Sequence, residues 1–227
     1  MMSVTKAVLA RKSCRQFLKD KPVPESMIKE LLELASRAPS GGNLQPWQVH
    51  VVFGSARDQL IESLKDQKVS GPEYDIYPPD LKDPHRSRRS KLGNDMYDLI
   101  GVARTDRIGK LKHLERNFSF FDAPCGVFIS AEKIMGIGQW CDIGMFIQNF
   151  LLLAFERGLA TCAQEAWANH SEAVKSFLNI SDEHILFCGI AVGYEDTTAT
   201  INKLRSDRAP IEEFATFYIE KRINSKL

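Results

Sequence analysis

Residues 139–157 read QWCDIGMFIQNFLLLAFER and are followed by Gly158. The run is apolar nearly all round and too long for a strand, and its closing glycine suits the left-handed C′ position of a helix. It therefore predicts a central buried helix, Gln139 to Arg157. The segments on either side are shorter. Cys125 to Ala131 is apolar and strand-length, as is Ile185 to Val192. Trp47, Val49, Val51 and Phe53 alternate with Gln48, His50 and Val52 in strand fashion, and Thr161 to Ala166 reads as a short strand or a turn. Helical spacing recurs at Val4, Ala7 and Val8, and from Met27 through Leu31 to Ala38, where Pro39 enforces a stop. Asp58 to Gln67 reads as a short helix, the polar stretch 90–118 as helical, and Ser171 as the cap of a helix ending near Leu178. Strands and helices mix without strict βαβ alternation, so the expected class is α+β.

The chain has 227 residues, 44% of them hydrophobic and 26% charged, which suits one domain spanning 1–227 with a sizeable core. Thirty basic against 29 acidic side chains leave a net charge of +1, which gives a nucleic-acid binder acting through bulk charge no footing. The longest uninterrupted apolar run, Phe150 to Phe155, is far short of the roughly 20 residues of a spanning helix. No signal peptide is read at the start of the chain. Five scattered cysteines without a C-x-x-C read as reduced thiols, and the expected setting is cytoplasmic. Residues 70–89 carry four prolines, Pro72, Pro78, Pro79 and Pro84, and read as a long surface excursion. The tail from Thr198 to Leu227 carries Arg205 and Arg208, then an amphipathic stretch with Phe214, Phe217 and Tyr218.

No phosphate-binding glycine loop, nucleophile elbow or metal-ligand spacing occurs, so a bound cofactor is expected to carry any chemistry and no metal is expected. Two clusters have site-like chemistry. Arg11, Lys12, Ser13 and Arg15 combine cations with a hydroxyl, which suits a phosphate, although such runs also occur as solvated helix ends. Pro39-Ser40-Gly41-Gly42-Asn43-Leu44-Gln45-Pro46-Trp47 is either a helix-stop loop or a ligand-facing one. Tyr74, Tyr77, His85, Arg86, Arg88 and Arg89 form either a lid that selects an anionic aromatic acceptor or a solvated loop. Trp140 and Trp167 are candidates for a pocket wall as well as for the core.

In order and spacing, Arg11-Lys12-Ser13-Cys14-Arg15-Gln16-Phe17, Ala35-Ser36-Arg37-Ala38-Pro39-Ser40 and Asn43-Leu44-Gln45-Pro46-Trp47 resemble the FMN-dependent nitroreductase family. The resemblance continues through Asn117 to Pro124, Trp140 to Gly144, Gly158 to Glu165, and Arg205 with Arg208. It is nearest to the nitrobenzoate and nitrobenzene reductase branch. It implies a three-layer α-β-α sandwich with a mainly antiparallel sheet, and a homodimer with FMN at the interface. NADH or NADPH would be the donor, and nitroaromatics or quinones the acceptors, through a ping-pong hydride relay at flavin N5. By the same resemblance Arg11, Lys12, Ser13, Arg15, Arg205 and Arg208 hold the FMN phosphate and ribityl chain. Pro39, Ser40, Gly41, Asn43 and Gln45 reach the flavin of the partner subunit, and Gln164 and Glu165 lie beside the isoalloxazine. From the residue reading above, Tyr74 and Trp167 are expected in the substrate pocket. Two other outcomes remain open at this point: a non-redox FMN carrier or sensor, and a specialised relative such as a reductive dehalogenase, to which Glu73-Tyr74 is a poor match.

Overall fold

The computed structural model describes residues 2–65 and 67–218; Asp66, inside the expected 58–67 helix, and 219–227, the end of the amphipathic tail, lie outside the described residues. Four strands, β1 (Gln48–Phe53), β2 (Cys125–Glu132), β3 (Ala160–Gln164) and β4 (His184–Gly193), form one sheet in the order β1-β2-β4-β3. Every pairing is antiparallel, with a bulge in β2 between Ile129 and Ser130. The helices are α1 (Val4–Ala10), α2 (Glu25–Ala35), α3 (Gly54–Ser63), α4 (His85–Leu99), α5 (Arg107–Glu115), α6 (Ile137–Glu156) and α7 (Ser171–Leu178).

Strand alternation splits the core into two layers of side chains. On one face Val127, Ile129, Ile190 and Val192 meet Leu31 of α2 and Ile143, Phe146 and Phe150 of α6. On the other, Phe128, Leu186 and Ala191 meet Leu60 of α3, Val174 of α7 and the rings of Phe17, Phe120 and Trp167. Helices thus cover both faces of the antiparallel sheet, giving the expected three-layer α+β sandwich. Two strand glycines make the second layer possible: a Cβ at Gly126 would lie 2.3 Å from the Phe120 ring, and one at Gly189 2.4 Å from the Trp167 ring. Large rings therefore approach the strand backbone closely where side chains are absent.

α6 buries one stripe, Asp142, Ile143, Phe146, Ile147, Phe150, Leu151 and Ala154, at helical spacing. Within one chain it is therefore a one-sided helix, and Ile137 and Met145 remain exposed on its other side. Its end is as read: Gly158 follows the C-cap with φ +77°. Other boundaries move. α2 stops at Ala35, with Ser36 as its cap, before Pro39 can act. The 58–67 helix is shifted to Gly54–Ser63, and the 161–166 segment is the strand Ala160–Gln164. Ser171 is the first residue of α7, whose N-cap is His170. The polar stretch 90–118 divides into α4 and α5, and α4 starts at His85, inside the expected excursion. α4 buries no residue; Arg88–Glu213 at 2.6 Å and Lys91–Asp207 at 2.9 Å tie it to the tail. Such exposed pairs contribute at most about 1 kcal/mol each.

Candidate functional site

The segment after α1 runs beside β3: the Cys14 N–H donates to the Thr161 carbonyl at 2.9 Å, and Ser13 pairs in parallel with Thr161. It is stapled to the tail by Asn202, which is buried. The Asn202 Oδ1 accepts from the Arg15 N–H at 2.8 Å, and its Nδ2 donates to the Gln16 carbonyl at 2.8 Å and the Asp196 carbonyl at 2.9 Å. Because both segments are fixed on one residue, arginines nearly 200 positions apart in sequence meet.

Arg11 is half-buried, and its Nε is buried with no hydrogen-bond partner among the described residues. Its pKa lies below the ordinary guanidinium value, first through burial and then through repulsion from Arg208 and Arg205. Arg205 donates to the Leu9, Ala10 (2.8 Å) and Arg11 (3.3 Å) carbonyls at the end of α1, whose orphan acceptors favour a cation. Arg208 donates to the Ser206 hydroxyl at 2.8 Å and to the Ser206 and Asp207 carbonyls. Asp207, the acid between the two arginines, is drawn off by Lys91. Among the described residues no carboxylate lies within ion-pair distance of Arg11, Arg205 or Arg208. Like charges gathered without counter-ions, around an orphaned donor, describe an anion site. Lys12 is not part of it: its Nζ binds Glu195 at 2.7 Å and the Asn202 carbonyl at 2.5 Å.

Next to this cluster opens a cavity of about 1170 Å³, with Arg15, Cys162, Gln164 and Glu165 in its wall. Cys162 links the two. Burial pushes its thiol up, while Arg15, the Ser13 hydroxyl and Arg11 pull the other way; the thiol stays protonated and inert. Gln164 is fully engaged: Nε2 donates to the Asn117 carbonyl at 2.9 Å and side chain at 3.1 Å, and Oε1 accepts from Trp167 at 3.3 Å. It shapes the wall rather than offering a free donor. Glu165 is half-buried, and desolvation raises its carboxyl pKa.

Trp167, expected at the pocket, is fully buried, 4.5 Å from Phe120 and 5.0 Å from Phe128 between ring centres, and does not reach the cavity. Tyr74 stands behind the wall: its hydroxyl donates to the Phe187 carbonyl at 2.5 Å, and Phe187 is the residue that faces the cavity. The loop 39–45 is also outside it. There Asp142 of α6 accepts from the Gly41 N–H at 3.1 Å, Ser40 accepts from the Gln45 N–H at 3.1 Å, and the Gln45 side chain donates to the Asn43 carbonyl at 3.3 Å. Gly42, Asn43 and Gln45 take positive φ of 59°, 58° and 50°, so a largely exposed turn is held in one shape.

Other residues at the site were given no role there by the sequence. His113 of α5 lines the cavity, and burial, then Arg116 and Arg15, lower its pKa to about 4, keeping the imidazole neutral. Phe120, Phe121 and Asp122 are consecutive left-handed residues at φ 54°, 52° and 71°, each costing roughly 1–3 kcal/mol. Burial of both rings offsets this, as do bonds to Asp122 from Gln16 (3.0 Å) and Arg116 (3.2 Å). Arg116 also donates to the Arg15 carbonyl at 3.3 Å, bracing the basic segment from the cavity side.

An antiparallel sheet covered by helices on both faces, with an anion cluster beside a large cavity, defines an α+β protein built to hold an anionic ligand. The chain belongs to the nitroreductase family, which it matches over residues 8–194. A chloronitrobenzene nitroreductase of Comamonas testosteroni is 33% identical over 215 residues, 92% of this chain and 94% of that protein. The FMN and NADPH-dependent nitroreductase NfnB from Sphigopyxis sp. strain HMH has a solved structure similar to this one, with a TM-score of 0.92 and 39% identity, covering 95% of this chain and 99% of that chain. An iodotyrosine dehalogenase 1 homolog of Caenorhabditis elegans is 43% identical over 217 residues, 92% of this chain but 59% of that protein.

Proposed function

We propose that this protein is an FMN-dependent NAD(P)H oxidoreductase that reduces nitroaromatic compounds, with quinones as a second acceptor class. The observation that carries this reading is the meeting of Arg11, Arg205 and Arg208, without carboxylate partners among the described residues, around a buried Nε that those residues leave orphaned. A flavin phosphate is close to a dianion, and charge-assisted bonds from several guanidiniums match it. The adjoining cavity of about 1170 Å³ is roomy enough for a tricyclic ring and a second planar molecule. When bound, FMN supplies the two-electron relay between donor and acceptor.

The chain's own residues place and polarise. Arg11, Arg205 and Arg208 neutralise the phosphate, while Ser13 and Arg15 lie between that cluster and the cavity. Glu165 stands half-buried in the wall, where desolvation raises its carboxyl pKa. Neutral His113 offers a hydrogen bond without adding charge. Lys12 serves this site by holding Glu195 and Asn202 rather than by touching the phosphate.

The same reading makes the protein a homodimer. The open side of α6, with Ile137 and Met145, is the expected interface. The loop Pro39, Ser40, Gly41, Asn43 and Gln45, outside its own chain's cavity, extends toward the flavin of the partner subunit. Free cysteines among the described residues suit a cytoplasmic setting, and no described helix is long and apolar enough to cross a membrane. The dehalogenase reading ranks lower because Glu73 and Tyr74 are already committed: Glu73 to Lys175 at 2.9 Å, Tyr74 to the Phe187 carbonyl.

Anaerobic addition of NADPH to the FMN-loaded protein tests the reading. Bleaching of the flavin band, followed by its return on adding a nitroaromatic, is expected. A flavin that stays oxidised with both NADPH and NADH would identify a carrier or sensor instead.

A further inference from the structure

The basic residues of α4 divide by face. Arg88 and Lys91 turn to the tail and meet Glu213 at 2.6 Å and Asp207 at 2.9 Å; Lys91 also holds Asp95 at 2.7 Å. Arg86 and Arg89, one turn apart on the other face, line the cavity, as does Lys110 of α5. Arg86 has Asp83 at 3.3 Å. Arg89 has no carboxylate within ion-pair distance among the described residues, and its guanidinium carbon lies 4.0 Å from the centre of the Tyr77 ring. The Lys110 ammonium lies 5.2 Å from the centre of the Tyr97 ring. Tyr77 and Tyr97 line the cavity too, and Glu165 is the one acidic residue in its wall among the described residues. Cations backed by aromatic faces, with a single acid in the wall among the described residues, suit a planar ligand that carries an oxyanion.

Resting on the nitroreductase reading above, we propose that the cavity prefers nitroarenes bearing a carboxylate. Arg89, stacked on Tyr77, is the specificity-determining residue that pairs with that carboxylate, and Lys110 adds to the local field. A guanidinium held against a ring keeps its fork of donors free, so it can grip a carboxylate with two parallel bonds. The contrast with Arg88, the preceding residue of the helix, about 100° round its axis and engaged by Glu213, supplies an internal control.

The test compares 4-nitrobenzoate with 4-nitrotoluene, a neutral molecule of the same outline, on the FMN-loaded enzyme, and measures benzoate affinity by calorimetry. The wild type should favour 4-nitrobenzoate in kcat/KM by roughly tenfold, a modest ratio for a charged contact because the mouth is open to solvent. Arg89→Gln should remove that preference through KM and weaken benzoate binding in parallel. Turnover of 4-nitrotoluene should fall much less than that of 4-nitrobenzoate, and Arg88→Gln should leave the preference intact. Equal losses on both nitroarenes in Arg89→Gln, or unaltered benzoate affinity, would overturn the proposal. So would an effect confined to the NADPH-to-NADH ratio, which would assign Arg89 to the donor's phosphate. If neither nitroarene is reduced, the nitroreductase reading itself falls, while benzoate binding by wild type and Arg89→Gln still decides whether the carboxylate site exists.

Discussion

Arg11 and Arg205 belong to one cluster but should respond differently to truncation. Arg11→Ala removes a donor that serves nothing else among the described residues, so FMN affinity should fall by roughly 1.5–3 kcal/mol while the apo-protein keeps its Tm. Arg205→Ala also uncaps α1, where the side chain meets three carbonyls, and should lower the apo Tm as well. Fluorescence titration and thermal scans of both variants check this. His113 gives a pH prediction. Its folded pKa, about 4, lies below the ordinary 6.5. Between those values the unfolded chain binds a proton that the folded chain refuses. The stability this group contributes is therefore complete above 6.5 and is lost as pH falls toward about 4. His50 and His170 are shifted downward by burial as well, so His113→Gln should flatten the acid limb of the stability profile without abolishing it. Urea unfolding at several pH values is the measurement; an unchanged slope would place His113 outside the acid response.

At the scale of elements, the excursion after α3 is fastened by a buried ion pair. Lys175 of α7 is 6% exposed and binds Glu73 at 2.9 Å and the His184 carbonyl at 3.2 Å. Glu73 also accepts from the Leu186 N–H at 3.3 Å and faces Lys133 at 3.7 Å. Lys175→Met strands the carboxylate and should cost about 2–3 kcal/mol, somewhat less than a fully buried pair because Glu73 keeps Lys133 and some solvent. Adding Glu73→Gln should restore part of that loss; a double variant less stable than the single one would contradict the account. Most elements were legible as periodicity: β1, β2 and β4 fall where alternation or an apolar run placed them, β3 takes the strand form of a segment that read as either a strand or a turn, and α6 ends at its glycine. What periodicity could not show was which side of α6 is covered, because an all-round apolar sequence looks the same whether one chain or two bury it. Helix 4 was half hidden for the opposite reason. With no buried residue, its start at His85 leaves no apolar rhythm beneath the prolines of the excursion.

Across the whole molecule, the candidate site depends on contacts between distant parts of the chain, and the sequence revealed its residues unevenly. Arg11, Arg15, Glu165, Arg205 and Arg208 carry charge in recognisable motifs, and the structure sets them around one cavity and its neighbouring cluster. Lys12 belongs to the same motif, but Glu195, 183 positions later in sequence, draws it away. Trp167 falls in the core because Gly189 leaves room for it, a pairing visible only once β4 is placed. Asn202, which joins the two ends, has no motif at all. Asn202→Ala should accordingly reduce both thermal stability and FMN affinity, since it frees the basic segment from the tail.

The phosphate assignment is tested most directly by titrating the flavin-free protein with FMN and, separately, with riboflavin, which differs only in lacking that phosphate. Three guanidiniums without carboxylate partners among the described residues should make FMN bind at least roughly 100-fold more tightly. Equal affinity for the two flavins would contradict the claim that the two ends of the chain converge to hold a phosphate.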